Sequence, residues 1–561
     1  MGVPFSSASF GVLGFALLLP VAAAHSQAAR ENSSAPRCDT TVSRTTASAL
    51  SGMRVRSVNV RALPPATLPG AAGRAVSHLH RITRPGTILR DFPIAAGDTV
   101  DTVAVGESMR RLRQRAYLAN AELIAAHCAP GNEVDLTIVT SDKWSLNPNF
   151  TAQAGSAYGG VEERNLLGTG RAGSLSFATR EGRLGGAFGY TDPYLLSLPL
   201  YLRMRLAEYG DGDEIRARFR NAEQSVQDDW RYQLTISRYR RDTHKEQAFG
   251  GYSVLVDQAF HREGVFLLIG RRIGDVGASA NSILFGFDSE HASLNAPDNS
   301  LTVGPKLVER RYHGPTVGLA RRAVVFDTVG WLADRQILVD VPLGIEMEGL
   351  VSAGREDVSR QPAAYGSVWL GKMWVPGIER LASLDFWSAG YRIQKRSNFD
   401  AASTRALVSY YARSGNVLYS FRLAAEKLVN PDPDVKALQT FDPTLPLIPT
   451  VYRLSENAVA GEFERATHVH SPIHAFSIDA ALFSAASYRT ASALSQHDHF
   501  GVAAIGVGLR LLPAAQGSGA LRLDLLYPVL KSPHARNGFT LAVSVTPWLQ
   551  ANRQRDDPRL R

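Results

Sequence analysis

The sequence predicts a mainly β protein: a transmembrane antiparallel β-barrel of about 16 strands, preceded by a small α+β module. Three observations carry this. Between residues 133 and 170 a soluble-looking strand, EVDLTIVT, runs into WSLNPNFTAQAGSAYGGVEERNLLGTG, and about 400 alternating, helix-poor residues follow. Several later stretches put leucines on one strand face and arginines on the other. The composition is turn-rich, with 48 Gly and 29 Pro in 561 residues, and otherwise ordinary, at 45% hydrophobic and 20% charged. A membrane-crossing strand needs only about 9–11 residues with every second side chain facing lipid, so no long apolar run is required.

Residues 1–29 read as a signal peptide. Phe10–Ala24, FGVLGFALLLPVAAA, is an apolar core followed by AHSQAA, the pattern of a cleaved secretory segment. Met1–Ser9 contains no Lys or Arg, which keeps a membrane anchor as the alternative. Residues 30–53 form an N-terminal segment. The only two cysteines, Cys38 and Cys128, precede the junction. In an oxidising compartment such a pair suggests a disulfide, closing a loop of about 90 residues worth roughly 4–5 kcal/mol in the chain-entropy model; two free thiols are the alternative.

Within the module, residues 54–142, Met53–Arg61 reads as a strand, interrupted by Pro64, Pro65, Pro69 and Gly70. Short helical stretches are expected at Ala71–His80 and Gly86–Phe92. The best helix starts at Asp101, a good N-cap, with Val105, Met109 and Leu112 on one face. Arg110, Arg111, Arg113 and Arg115 on its far side read as a solvated face; contact with anionic lipid or a partner is the other reading. Strands Asn120–Cys128 and Glu133–Thr140 follow, joined by a turn at Ala129–Asn132.

The barrel is expected over residues 143–550, with 551–561 a charged tail. In PLYLRMRLAEY (Pro199–Tyr209) Leu200, Leu202, Met204 and Leu206 oppose Tyr201, Arg203 and Arg205. An arginine facing lipid at mid-depth costs about 2–4 kcal/mol, so the leucines must face lipid and the arginines the interior. Leu521, Leu523 and Leu525 oppose Arg522 and Asp524 in the same way, and Phe539, Leu541, Val543 and Val545 make the last stripe. Breaks at 289–309 and 426–466 read as long loops. The segmentation allows roughly 16 to 19 strands.

The formal charge of +9, from 61 Lys+Arg against 52 Asp+Glu, is scattered along strands and loops with no recognition motif, so no nucleic-acid partner is expected; the lipid bilayer is. His468, His470 and His474 could put two imidazoles on one strand face, but no carboxylate or cysteine lies at ligand spacing. No nucleophile elbow, phosphate loop or paired-carboxylate motif occurs. No metal, no cofactor and no enzymatic activity are expected.

Two resemblances sharpen the reading. The order strand, helices, strand, strand, with a Gly97-Asp98 turn and a helix ending in Arg111-Leu112-Arg113 and Tyr117, resembles a POTRA domain. ERNLLGTG (Glu163–Gly170) looks like the turn after the first barrel strand of the bacterial surface antigen family, the BamA and TamA type of barrel-assembly protein. YTDPYL (Tyr190–Leu195), GVGLRL (Gly506–Leu511) and LRLDLLYPV (Leu521–Val529) resemble its further hallmarks, in order. The resemblance implies an outer membrane of a Gram-negative-type cell, with the POTRA-like module in the periplasm. It also implies a factor that inserts or translocates outer-membrane or exported client proteins, working with periplasmic or outer-membrane accessory proteins, through a barrel whose first and last strands pair weakly. In that family a lumen loop carries an Arg-Gly-aromatic tip held by a carboxylate; here the corresponding stretch is Tyr452-Arg453-Leu454-Ser455, which keeps only Arg453. The carboxylate motif is absent too, leaving Asp479, Glu462 or Glu464 as possible partners. This departure keeps open a passive porin-like or structural barrel. The family usually ends on an aromatic, whereas here Trp548 precedes QANRQRDDPRLR.

Overall fold

The computed structural model describes residues 42–44, 50–65, 80–128 and 131–546, apart from 154–155, 181–182, 210–211, 222–227, 250–251, 276–278, 296–308, 332–338, 395–398, 430–443, 445–446, 449–456, 470–475, 492–497, 514–519 and 533–536. Cys38, Arg453, His470, His474, the stretch 71–79 and the C-terminal tail lie outside the described residues, and so do the disulfide and the loop tip expected there.

The first part of the chain folds as β1 (Val42–Arg44), β2 (Arg54–Leu63), α1 (Pro85–Leu89), α2 (Thr102–Gln114), β3 (Leu118–Cys128) and β4 (Glu133–Asp142). The sheet order is β1-β3-β4-β2, with β2 parallel to β4 and β3 antiparallel to it. Asp101 caps α2 as expected, accepting from the N–H groups of Val103 at 2.8 Å and Ala104 at 3.3 Å. That places Val105, Met109 and Leu112 against the sheet residues Val55, Leu118, Leu136 and Ile138 in one core. Leu50 joins this core and β1 the sheet, both from the stretch preceding residue 54. Proline at the start of α1 supplies its φ without losing a needed donor, and Ile88 and Phe92 dock the turn onto the core.

The remainder is a transmembrane barrel. Its wall takes β5 (Leu146–Gln153), β6 (Ser156–Glu163), β7 (Ala172–Arg180), β8 (Arg183–Asp192), β9 (Leu200–Tyr209), β10 (Gly212–Asn221), β11 (Trp230–Phe249), β12 (Tyr252–Ile273), β13 (Ser279–Asn295) and β14 (Arg310–Ala323). A hairpin outside the wall follows, β15 (Phe326–Val329) and β16 (Val339–Pro342). The wall resumes with β17 (Ile345–Glu356), β18 (Gln361–Gly377), β19 (Arg380–Ile393), β20 (Asp400–Ser414), β21 (Val417–Val429), β22 (Asn457–Val469), β23 (Phe476–Ala491), β24 (Asp498–Pro513), β25 (Ala520–Lys531) and β26 (Thr540–Thr546). Each strand pairs with its neighbour in sequence and β26 returns to β5, which closes the sheet without an edge and satisfies backbone groups that lipid cannot.

The faces separate as expected. Ile505, Val507 and Leu509 are exposed on the outside of β24 while Arg510 points inward at 1% exposure; Ile283, Phe285 and Phe287 on β13 oppose buried Asp288 and Glu290. Leu541 and Val543 face outward on β26.

Three expectations need correction. Among the described residues the wall has twenty strands rather than about 16. One reason is that residues 146–163, ahead of the turn expected to follow the first barrel strand, form a hairpin of two short strands. ERNLLGTG therefore turns between the second and third wall strands. Asn147, Asn149, Thr151 and Gln153 give β5 little apolar contrast, so its boundary is hard to see in sequence. The third concerns the loops: residues 289–295, assigned to the first, belong to β13, and residues 426–429 and 457–466, assigned to the second, belong to β21 and β22.

Candidate functional site

Three features carry the possible chemistry: the joint between module and barrel, the charged lumen, and the closing seam.

The joint is built on the two turns singled out in the sequence. Asp142, at the end of β4, accepts from Thr83 N–H and Thr83 Oγ1, both at 2.8 Å, and lies 3.1 Å from His80 Nε2. Thr83 Oγ1 in turn accepts from Asn165 Nδ2 at 2.9 Å, and Asn165 Oδ1 accepts the Gly170 N–H at 2.8 Å, pinning the turn beneath the module. Arg84 N–H donates to the Gly168 carbonyl at 2.9 Å, and Thr87 Oγ1 to the same oxygen at 3.2 Å. At the second turn Tyr194, from YTDPYL, donates to Asp91, which also takes both arms of Arg115; Arg115 Nη2 reaches the tyrosine oxygen at 3.3 Å.

The arginines of α2 are thus not a solvated face. Arg110 pairs with Glu107 in the same helix and stacks on Phe326, Arg111 donates to the Asp91 carbonyl at 3.0 Å, and Arg113 grips Asp340 through two bonds of 2.9 and 2.8 Å. Periodicity distinguishes a buried from an unburied helix face only within its own module; it carries no information about what docks on the polar side.

Lys143, the first residue past β4, is 8% exposed. Burial pushes its ammonium down to about 8, and the charge of Arg164 adds to the effect. In the unfolded chain it stays protonated up to the usual lysine range near 10.5. Between these values the unfolded chain binds more protons, so the joint gains stability as pH rises through that window. The variant Lys143→Met should lack this rise in denaturant titrations at pH 7.5 and 10; equal pH slopes for the two proteins would sink the expectation.

The lumen holds a network on β21 to β25. Glu462 pairs with Arg422 and, at 2.7 Å, with Arg522. Glu464 takes the Nε of Arg510 at 3.1 Å and Arg522 at 3.3 Å. Asp524 bridges Arg510 and Arg522, and the ring of Phe483 lies 5.5 Å from the Arg510 guanidinium carbon. Glu462 and Glu464, weighed as partners of Arg453, thus have three wall arginines around them. Asp479 sits apart, 3.1 Å from His468. Above this network the described part of the loop between β21 and β22 enters the barrel: Leu447 and Ile448 are fully buried against Phe483, Phe500, Val502 and Leu526. Sequence reading singled out Arg522 and Asp524 as inward-facing but missed Arg422 and Arg510. The alternating FRL (Phe421–Leu423) and GLRLL (Gly508–Leu512) patterns were the available signal.

The seam is short. Among the described residues β26 has seven; on one side it pairs with Ala520–Leu526 of β25, while Tyr527–Lys531 extend past that register, and on the other it meets β5. β5 and β6 have eight residues each, against 20 in β11 and 22 in β12.

No family model matches the chain, and no curated protein matches it. Solved structures resemble it distantly. CdiB from Escherichia coli is 10% identical, aligned over 88% of this chain and 76% of that one, with a TM-score of 0.42. BamA from Haemophilus ducreyi lacking POTRA domains 1–3 is 10% identical over 88% and 85%, at 0.32. CdiB from Acinetobacter baumannii is 12% identical over 82% and 74%, at 0.36. At these scores the likenesses decide nothing about activity.

Proposed function

We propose that the chain is an outer-membrane protein assembly or translocation factor, whose α+β module is a POTRA-like domain lying in the periplasm. The module receives client chains and the barrel inserts them or passes them through. The observation that carries this reading is the short seam. Each backbone hydrogen bond contributes only about 0.5–1.5 kcal/mol net, so a closing pair between strands of seven and eight described residues opens more readily than the long pair of β11 and β12. An exposed strand edge there offers a client backbone the partners that lipid denies it.

The module supports the same reading. Among the described residues, β2 adds to its pairing with β4 an isolated bridge from Arg54 to Thr99, and β1 covers β3 at three positions, Ile124–Ala126. Such edges accept an extended segment by strand addition.

The test is a folding assay in liposomes with an unfolded barrel protein as client. Folding should be faster than in empty liposomes. In a chain carrying Cys38→Ser and Cys128→Ser, a cysteine at Gln153 or a neighbour paired with one in β26 should tether the seam and remove the acceleration until the bridge is reduced. Folding no faster than in empty liposomes, together with high ion conductance, would establish the porin-like alternative instead.

A further inference from the structure

The hairpin β15–β16 lies between two wall strands, yet it does not simply connect them. Val329 and Val341, the latter fully buried, pack on Leu381 and Tyr411, with Trp331, Met373 and Val375 alongside. Leu381 and Tyr411 are register partners on β19 and β20. Trp374 is exposed on the outer face of β18, and because faces alternate along a strand, Met373 and Val375 point into the lumen. The hairpin therefore rests against the inner face of the wall at its module-side rim. Arg413 Nη1 fastens it there by donating to the Trp331 carbonyl at 2.7 Å.

Its other side meets α2. Asp340 is only 2% exposed at its side chain; it takes both arms of Arg113 and accepts from Thr328 Oγ1 at 2.9 Å. Phe326 lies under Arg110, with 4.9 Å from the guanidinium carbon to the ring centre. The module is meanwhile fixed to the turns around Gly168 and Tyr194, between β6 and β7 and between β8 and β9. It thus spans from that side of the mouth to the hairpin between β14 and β17.

We propose that β15–β16 is a plug for the module-side mouth of the barrel, and that Arg113 and Asp340 form the latch by which the module holds it seated. A carboxylate this buried is stable only while paired. When α2 withdraws Arg113, Asp340 becomes an unpaired buried charge, and leaving the mouth for water is its relief. Module position and plug position are then one equilibrium, whatever the barrel carries. Because Leu447 and Ile448 pack on the inner wall further along, conductance would not depend on the hairpin alone, and accessibility reports unlatching more directly.

The experiment uses the full chain in nanodiscs with Cys38→Ser, Cys128→Ser and the reporter Leu381→Cys, a position 1% exposed beneath the hairpin. Labelling by a membrane-impermeant maleimide should be slow. Arg113→Asp and Asp340→Arg should each raise the rate by about tenfold or more, which corresponds to ~1.4 kcal/mol of latch. The double variant Arg113→Asp with Asp340→Arg should restore protection. Unchanged labelling in the single variants, or a double variant labelled as fast as they are, overturns the proposal. Heat-modifiable migration in SDS checks that each barrel is folded. Should a charge reversal abolish it, Arg113→Gln and Asp340→Asn take their place: the same rise is expected, and an unchanged rate overturns the latch.

Discussion

Arg510→Met should lower the temperature at which the barrel loses its SDS-resistant folded band, reflecting a loss of about 3–5 kcal/mol. Arg510 is among the largest fully buried side chains, held by Glu464 and Asp524. Methionine fills much of the same space but leaves those two carboxylates sharing Arg522. A buried charge that loses its partner costs far more than the intact pair contributes, because desolvation is no longer offset. The same reasoning predicts a contrast: replacing Arg510, Glu464 and Asp524 together by apolar residues should cost much less than Arg510→Met alone. Measuring the melting of the folded band for both proteins decides it, and a triple variant less stable than the single one would contradict the argument.

Gly168→Val should detach the module from the barrel while leaving the barrel folded. Gly168 sits at φ +74°, and a Cβ there would lie 2.4 Å from the Ile82 carbonyl oxygen, a backbone atom with nowhere to go. The left-handed conformation alone costs an ordinary residue about 1–2 kcal/mol, and a β-branched one more. The clash adds to this and breaks the bonds that Arg84 N–H and Thr87 Oγ1 make to the Gly168 carbonyl. Gly97 is the control, at φ +97° with open space around its Cβ position; Gly97→Ala should cost only the conformational part. Amide exchange at Arg84 would read the outcome, with protection lost in Gly168→Val and kept in Gly97→Ala. Retained protection in Gly168→Val would show that the joint does not depend on this close approach.

What the sequence disclosed and what it hid follow from the range of the interactions. The cap at Asp101, the buried face of α2 and the outward leucine stripes of β24 to β26 are local patterns of period 3.6 or 2, and they were legible. The turns ERNLLGTG and YTDPYL were legible as landmarks, but not as the sockets for Thr83, Arg84 and Asp91. The arginines of α2 were misread because two of them meet partners more than 200 residues away, Arg113 at Asp340 and Arg110 at Phe326. Glu462 and Glu464 were picked out as lumen carboxylates, yet the identity of their partners depended on cross-strand register, which no single strand reveals. The hairpin β15–β16 has four residues per strand, too few for alternation to register.

The unequal wall has a consequence for the surrounding bilayer. Among the described residues, β26, β5 and β6 have seven or eight residues each, fewer than the about 9–11 a membrane usually demands. Lipids beside β26 and β5 must therefore compress, at a cost of fractions of a kcal/mol per Å of mismatch, whereas those beside β11 and β12 need not. The molecule carries its own thin spot in the membrane, placed where its wall is weakest. Thicker lipid raises the strain at that spot alone, so membrane thickness acts as a dial on the seam while the lumen and the joint are left untouched.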